Sequence, residues 1–299
     1  MNVYFSPAYC ETSVAFDTTR KAAAIAASLD EEPIAGATLL APRPITAQEL
    51  LAVHTDAYVD AVSTGSPRGL SATNGIGWDV GFPGAVMASN GGVRDAALEA
   101  LRTGSVAGSL SSGLHHAYGD RGSGYCTFNG LVLASRAALA AGAKRVLILD
   151  LDAHCGGGTA SLIGDLHGVE QVDVAVDDFD HYTSTPNSRL TMSQGDDYLD
   201  IVRRELDRVA APARIDLLLY NAGMDPHRHA GGHPAIDAGI LAARESIVFE
   251  WVSTHGLPVA WVLAGGYSEG NEGAALDMAG LVRLHRLTIS AAAESVGLR

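Results

Sequence analysis

Val146-Leu147-Ile148-Leu149-Asp150-Leu151-Asp152-Ala153-His154-Cys155-Gly156-Gly157-Gly158-Thr159 is an apolar run that ends in Asp, Asp and His at every second position. Val and Ile favour an extended backbone. Successive side chains of a strand point to opposite faces, so Asp150, Asp152 and His154 share one face. Two carboxylates and an imidazole at the end of a buried strand are costly unless a cation compensates them. A divalent metal would do so, and the rest of the chain is expected to complete its site.

Working outward, the pattern is regular. Helix-like stretches are expected at Thr18 to Leu29, Thr46 to Val53 (with a capping-box pair, Thr46 and Glu49), Asp56 to Val62 and Pro83 to Leu101. Further helices are expected at Asn129 to Ala141, Gly158 to Ile163, Tyr198 to Val209, Asp237 to His255 and Gly273 to about Ala293. Strands are expected at Val3 to Phe5, Val146 to Leu149, Val172 to Val176, Ile215 to Tyr220 and Pro258 to Leu263. Long loops fill Ser63 to Gly81, Ser109 to Thr127, Asp177 to Thr191, Asn221 to Pro234 and Ala264 to Glu272. Strands alternating with helices predict an α/β fold in three layers, a mainly parallel sheet with helices on both faces. No linker, repeat or biased segment divides residues 1–299, so one domain is expected. In such sheets ligands bind beyond the carboxyl ends of the strands.

The whole chain sets bounds. It has 299 residues, 47% of them hydrophobic, and a formal charge of −14. Without a Lys/Arg-rich run, nucleic-acid binding through phosphate neutralisation is not expected. No apolar run reaches membrane-spanning length, and the N-terminus lacks the basic-then-apolar order of a signal peptide. Cys10, Cys126 and Cys155 form no CxxC pair or disulfide framework. A cytoplasmic setting is expected.

Three groups carry chemistry. Asp152 and His154 offer one oxygen and one nitrogen ligand, and a third could come from Asp225, after Leu217-Leu218-Leu219-Tyr220-Asn221. An Asp2His set leaves positions open for water and substrate, as catalytic zinc requires. Asp150 is better placed behind the ligands. The adjacent His115 and His116, in Ser111-Ser112-Gly113-Leu114-His115-His116-Ala117, suit acid–base work near neutral pH. Taken alone, they read equally well as two surface histidines. Gly265-Gly266-Tyr267 would let the backbone approach a ligand closely and let a phenol reach a developing oxyanion. Other features carry less. His227, His229 and His233 read as a solvated loop, Trp78, Trp251 and Trp261 as packing residues. Gly156-Gly157-Gly158 lacks the Lys-Ser/Thr ending of a phosphate loop.

Together, Gly113-Leu114-His115-His116-Ala117, Gly124-Tyr125-Cys126-Thr127-Phe128-Asn129, Asp150-Leu151-Asp152-Ala153-His154, Asn221-Ala222-Gly223-Met224-Asp225 and Gly265-Gly266-Tyr267 resemble the zinc-dependent histone deacetylase family, acetylpolyamine amidohydrolases included. The motifs fall in the family's order over roughly residues 50 to 290, within the span of one domain. The resemblance implies an arginase–deacetylase fold and one zinc ion per chain, held by Asp152, His154 and Asp225. It implies that His115 and His116 are acid–base residues and that Tyr267 polarises the amide carbonyl. Asp150 would orient His115 and border a structural monovalent-cation site, such as one for K+. Gly124 and Tyr125 would form a channel wall, with Tyr125 where the family usually has Phe, and Gly265 and Gly266 would approach the substrate. Gly75-Ile76-Gly77-Trp78-Asp79 resembles a rim segment whose acidic residue, Asp79, holds substrate amides.

One position departs from the family. Where it has Asp or Asn to orient the second tandem His, this chain has Gly157. His116 is therefore expected to be less basic and to be oriented by another group or by water. The expected reaction is hydrolysis of an acyl amide: acetyl-lysine, an acetylpolyamine or a small acylated metabolite. Two rivals are a non-catalytic zinc protein that binds acyl-amines, with Gly157 as its mark, and two-metal ureohydrolase chemistry, whose Asp-rich motifs are not found. Oligomeric state, a homo-oligomer included, is left open.

Overall fold

The computed structural model describes residues 1–13, 16–269 and 273–296. Eight strands carry the fold: β1 (Asn2–Tyr4), β2 (Thr38–Leu40), β3 (Val106–Ser109), β4 (Val146–Asp150), β5 (Val169–Ala175), β6 (Ser188–Met192), β7 (Leu217–Asn221) and β8 (Val259–Val262). They form one sheet in the order β2-β1-β3-β8-β7-β4-β5-β6. Every neighbouring pair is parallel.

The helices are α1 (Asp17–Glu31), α2 (Ala47–Leu50), α3 (Asp56–Thr64), α4 (Arg68–Ser71), α5 (Phe82–Thr103), α6 (Gly130–Ala140), α7 (Gly157–Ile163), α8 (Tyr198–Asp207), α9 (Ala238–His255) and α10 (Met278–Val296). The alternation of side chains along β4 shows how the layers form. Leu147 and Leu149 enter one core, with Ile25 of α1, Ile201 of α8, Val248 of α9 and Leu281 of α10. Val146 and Ile148 enter the opposite core, with Val93 of α5, Leu131 of α6 and Ile163 of α7. Burying an aliphatic side chain of this kind contributes about 1.5–3 kcal/mol.

Several boundaries differ from the sequence reading. Three strands, β2, β3 and β6, fall where loops or connections were expected. β2 is a short edge strand with exposed ends, β3 reads Val-Ala-Gly-Ser, and β6 reads Ser-Arg-Leu-Thr-Met, so none shows a run of apolar residues. Their strand character comes from pairing with a neighbour, not from local propensity. The long loop expected at Ser63 to Gly81 contains α4. The capping box holds: the Thr46 hydroxyl accepts from Glu49 N–H, and Glu49 accepts from Thr46 N–H. The last helix starts at Met278, and residues 270–272 of the Gly-rich loop before it lie outside the described residues. No helix among the described residues is long and apolar enough to cross a membrane.

The register brings the strand ends level. Ser109 of β3 pairs with Val262, Val262 with Asn221, Asn221 with Asp150, and Asp150 with Asp173. The segments that leave these five strands therefore emerge on one edge of the sheet.

Candidate functional site

Those segments bring the sequence-picked residues together. Asp152 and His154 follow β4, Asp225 follows β7, Gly265 to Tyr267 follow β8, and His115 and His116 follow β3. One ligand atom from each of Asp152, His154 and Asp225 lies within 4.8 Å of the others. His154 Nδ1 is 3.1 Å from Asp152 Oδ1 and 3.3 Å from Asp225 Oδ2. Asp225 Oδ2 is buried and accepts no hydrogen bond. Burial and the Asp152 carboxylate push the Asp225 carboxyl up. His154 responds the other way. Burial disfavours its charge, but the two aspartates outweigh burial and raise it to about 11. The cluster thus draws a positive charge to the spot, and its O, O, N donor set fits a divalent ion such as zinc.

The glycine that follows β8 is required by distance. A Cβ on Gly265 would sit 1.8 Å from Asp225 Oδ2, and Gly265 N–H donates to Asp152 Oδ2 at 2.7 Å. Gly265 thus packs against the carboxylates. Neither it nor Gly266 lines the cavity in front of them.

The tandem histidines are buried, with ring centroids 3.8 Å apart and planes tilted by 42°. Asn129 holds their loop by donating to the carbonyls of His115 and Ala117. His115 Nδ1 is 2.9 Å from Asp150 Oδ2, while Asp150 Oδ1 accepts from Asn221. Burial alone would discharge His115, but Asp150 and Asp152 outweigh it and hold the imidazolium, up to about 10. His116 goes down to about 4, because burial and the neighbouring His115 charge both disfavour its protonation. The two histidines are thus pulled apart, His115 towards its charged form and His116 towards its neutral one.

His116 does have a carboxylate partner. Its Nδ1 is 2.9 Å from Asp180 Oδ2, in the segment after β5. That segment carried no recognisable match in the sequence, so Asp180 was missed. The expectation that another group would orient His116 now has a residue attached to it.

A cavity of about 440 Å³ opens in front of the cluster. His116, His154 and Tyr267 line it, with Gly124, Tyr125 and Phe179 among its walls and Asp177 its acidic residue. Phe179 packs edge-on against His116, ring centroids 4.9 Å apart. Gly124 has φ 48°, and a Cβ there would sit 2.4 Å from His116 Cδ2. Asp79 is elsewhere. Its carboxylate accepts from Thr12, Ser13 and the first N–H groups of α5, and it does not line the cavity.

The sequence also gave no warning of two buried cations. Lys21 of α1 donates to the carbonyls of Ala264 and Gly266, at 2.6 and 3.2 Å, and so grips the loop that carries Tyr267. Burial lowers Lys21 to about 8, against the pull of Asp225, Asp152 and Asp17. On the next turn back, Asp17 accepts from Ser268 N–H and Oγ–H. Arg244 of α9 donates to Leu151 O and Gly223 O, tying the ends of β4 and β7. His227 is buried rather than solvated, and its Nδ1 accepts from His229 N–H.

A histone deacetylase domain model matches residues 15–279. The chain belongs to the histone deacetylase family. Among relatives, an uncharacterized protein of Picosynechococcus sp. is 32% identical over 73% of this chain and 74% of its own length. A probable deacetylase of Methanothermobacter thermautotrophicus is 32% identical over 60% of this chain and 58% of its own. The crystal structure of the HDA15 HD domain superposes with a TM-score of 0.76 at 23% identity, covering 100% of this chain and 94% of that one. That likeness establishes the shared α/β fold of the histone deacetylase family, a parallel sheet between helices. Family membership places the chain among deacetylases, hydrolases that act on amides.

Proposed function

We propose that this member of the family is a zinc-dependent amidohydrolase that removes an acetyl or other acyl group from an amine. The observation that carries the reading is the cluster of Asp152, His154 and Asp225, with His154, His116 and Tyr267 lining one cavity. Asp152, His154 and Asp225 would hold the zinc ion, which when bound supplies a Lewis acid that lowers the pKa of water and polarises a carbonyl.

The chain's own groups then divide the work. His116 donates Nδ1–H to Asp180, which leaves Nε2 able to take a proton from the attacking water. The same proton can return to the departing amine from His116. His115, kept charged by Asp150 and Asp152, is a second proton source. Tyr267 donates a hydrogen bond to the oxygen on which negative charge develops. Gly124, Tyr125 and Phe179 shape an aromatic-walled passage for the acyl-amine. The charge of −14 and the acidic Asp177 in the wall favour a cationic amine. A structural monovalent cation, K+ for example, is supported by the two buried carboxylates that face each other in register, Asp150 and Asp173. Burial and the Asp150 charge push the Asp173 carboxyl well up, against the pull of His115.

The test is zinc counting with an activity screen over acetyl-lysine peptides, acetylpolyamines and longer acyl amides. One zinc per chain and chelator-sensitive release of the acyl group are expected. One zinc with no hydrolysis across the screen would instead favour a binding protein, and two metals a different hydrolase.

A further inference from the structure

We propose that Asp180 is the residue that positions His116, and that Gly157 is glycine because Asp180 fills the space a side chain there would need. The catalytic use of His116 rests on the amidohydrolase reading, but the contact itself does not. Asp180 Oδ2 lies 2.9 Å from His116 Nδ1 and also accepts from Gly158 N–H at 3.1 Å. Asp180 Oδ1 accepts from the Tyr118 hydroxyl. An ionised carboxylate only accepts, so Nδ1 is the protonated nitrogen of His116 and Nε2 is left free to take a proton.

The carboxylate arrives by a tight turn. Cys155 N–H donates to Phe179 O at 3.1 Å, Phe179 N–H to Asp177 Oδ1 at 2.8 Å, and His181 N–H to Asp178 O at 3.1 Å. Asp180 itself adopts φ 61°, a left-handed conformation that Asp tolerates better than most residues. The turn places Asp180 against the first turn of α7. A Cβ on Gly157 would lie 2.3 Å from Asp180 O, 2.7 Å from its Oδ1 and 2.8 Å from its Cγ. A side chain at 157 and the carboxylate of Asp180 therefore exclude each other. Relatives with an orienting residue at the position of Gly157 would reach His116 from the loop after β4. This chain reaches it from the loop after β5.

A rival account is that Asp180 only caps α7 through Gly158 N–H. The variants separate the two. Asp180→Asn keeps the shape and, with its amide oxygen in the place of Oδ2, an acceptor for Gly158 N–H, but removes the charge facing His116. Asp180→Ala removes both. The readouts are proton NMR of the imidazole N–H groups, zinc content, kcat and KM. A downfield Nδ1–H resonance is expected, assigned to His116 by its loss in His116→Gln and absent in Asp180→Ala. In Asp180→Asn, kcat is expected to fall about 10–100-fold, as for loss of a partner that orients a site histidine. KM and zinc content should stay near wild type. A His116 resonance that persists unchanged in Asp180→Ala would overturn the assignment. So would wild-type kcat in both variants. If the resonance depends on Asp180 but the wild-type chain hydrolyses no acyl-amine, the amidohydrolase reading fails and the contact stands.

Discussion

Consider Gly157→Ala, the smallest change that bears on the Asp180 contact. Gly157 is the first residue of α7 and has no left-handed φ. By helix propensity alone, Ala in place of Gly should stabilise a helix interior by about 1 kcal/mol, and less at its first residue. The added methyl would nevertheless lie 2.3 Å from Asp180 O, a backbone atom that cannot rotate away. Restoring ordinary contact requires the turn to retreat by roughly 1 Å, which stretches the 2.9 Å bond between Asp180 and His116 beyond hydrogen-bonding range. The substitution should therefore cost about 1–3 kcal/mol of stability, offset in part by helix propensity, while kcat falls about 10–100-fold. Denaturant unfolding, zinc content and steady-state kinetics on the same preparation check this. Wild-type kcat in a folded, zinc-loaded Gly157→Ala protein would refute the reasoning. By the same geometry, Gly157→Asp has to displace Asp180 before its own carboxylate can face His116.

Three further outcomes are expected. Tyr267→Phe should lower kcat about 10²–10³-fold, with zinc content unchanged, in the same kinetic assay. Gly265→Ala would place a methyl group 1.8 Å from Asp225 Oδ2, so a lower zinc affinity is expected by competition with a chromophoric chelator. Lys21 titrates near 8 in the folded chain and at the ordinary 10.5 when unfolded. Between those values the unfolded chain binds more protons, so this group's contribution to stability rises with pH. Lys21→Met should flatten the stability–pH curve there by up to about 1.4 kcal/mol per pH unit, measured by urea unfolding at several pH values.

The parts that the sequence revealed share a physical cause. Strands β4, β7 and β8 are short apolar runs buried on both faces, so local composition and tertiary role agree. Asp152, His154, Asp225, His115, His116 and Tyr267 follow buried strands of one parallel sheet, and the level strand ends bring them together. Asp150, the last residue of β4, was expected from the resemblance to orient His115, and its Oδ2 lies 2.9 Å from His115 Nδ1. Strands β2, β3 and β6 were not legible, because half-exposed or Gly- and Ser-bearing segments become strands only when a neighbour pairs with them. Asp180 was hidden for a different reason. It sits in a turn without periodicity, and only the missing side chain at Gly157 pointed toward a substitute. Lys21 and Arg244 carried no sequence signal that set them apart. They are buried because the backbone carbonyls at strand ends need donors.

The grip of α1 on the Tyr267 loop has a consequence for the growing chain. Lys21 and Asp17 leave the ribosome long before Ala264, Gly266 and Ser268 exist, so their hydrogen bonds cannot form until a further 243 to 251 residues have been made. Contacts this distant in sequence form late and slowly. During synthesis the ammonium of Lys21 must stay hydrated, and the helix that carries it cannot be sealed over the sheet. The loop that carries Tyr267 is then held against α1 only once Ser268, 251 residues beyond Asp17, has been made.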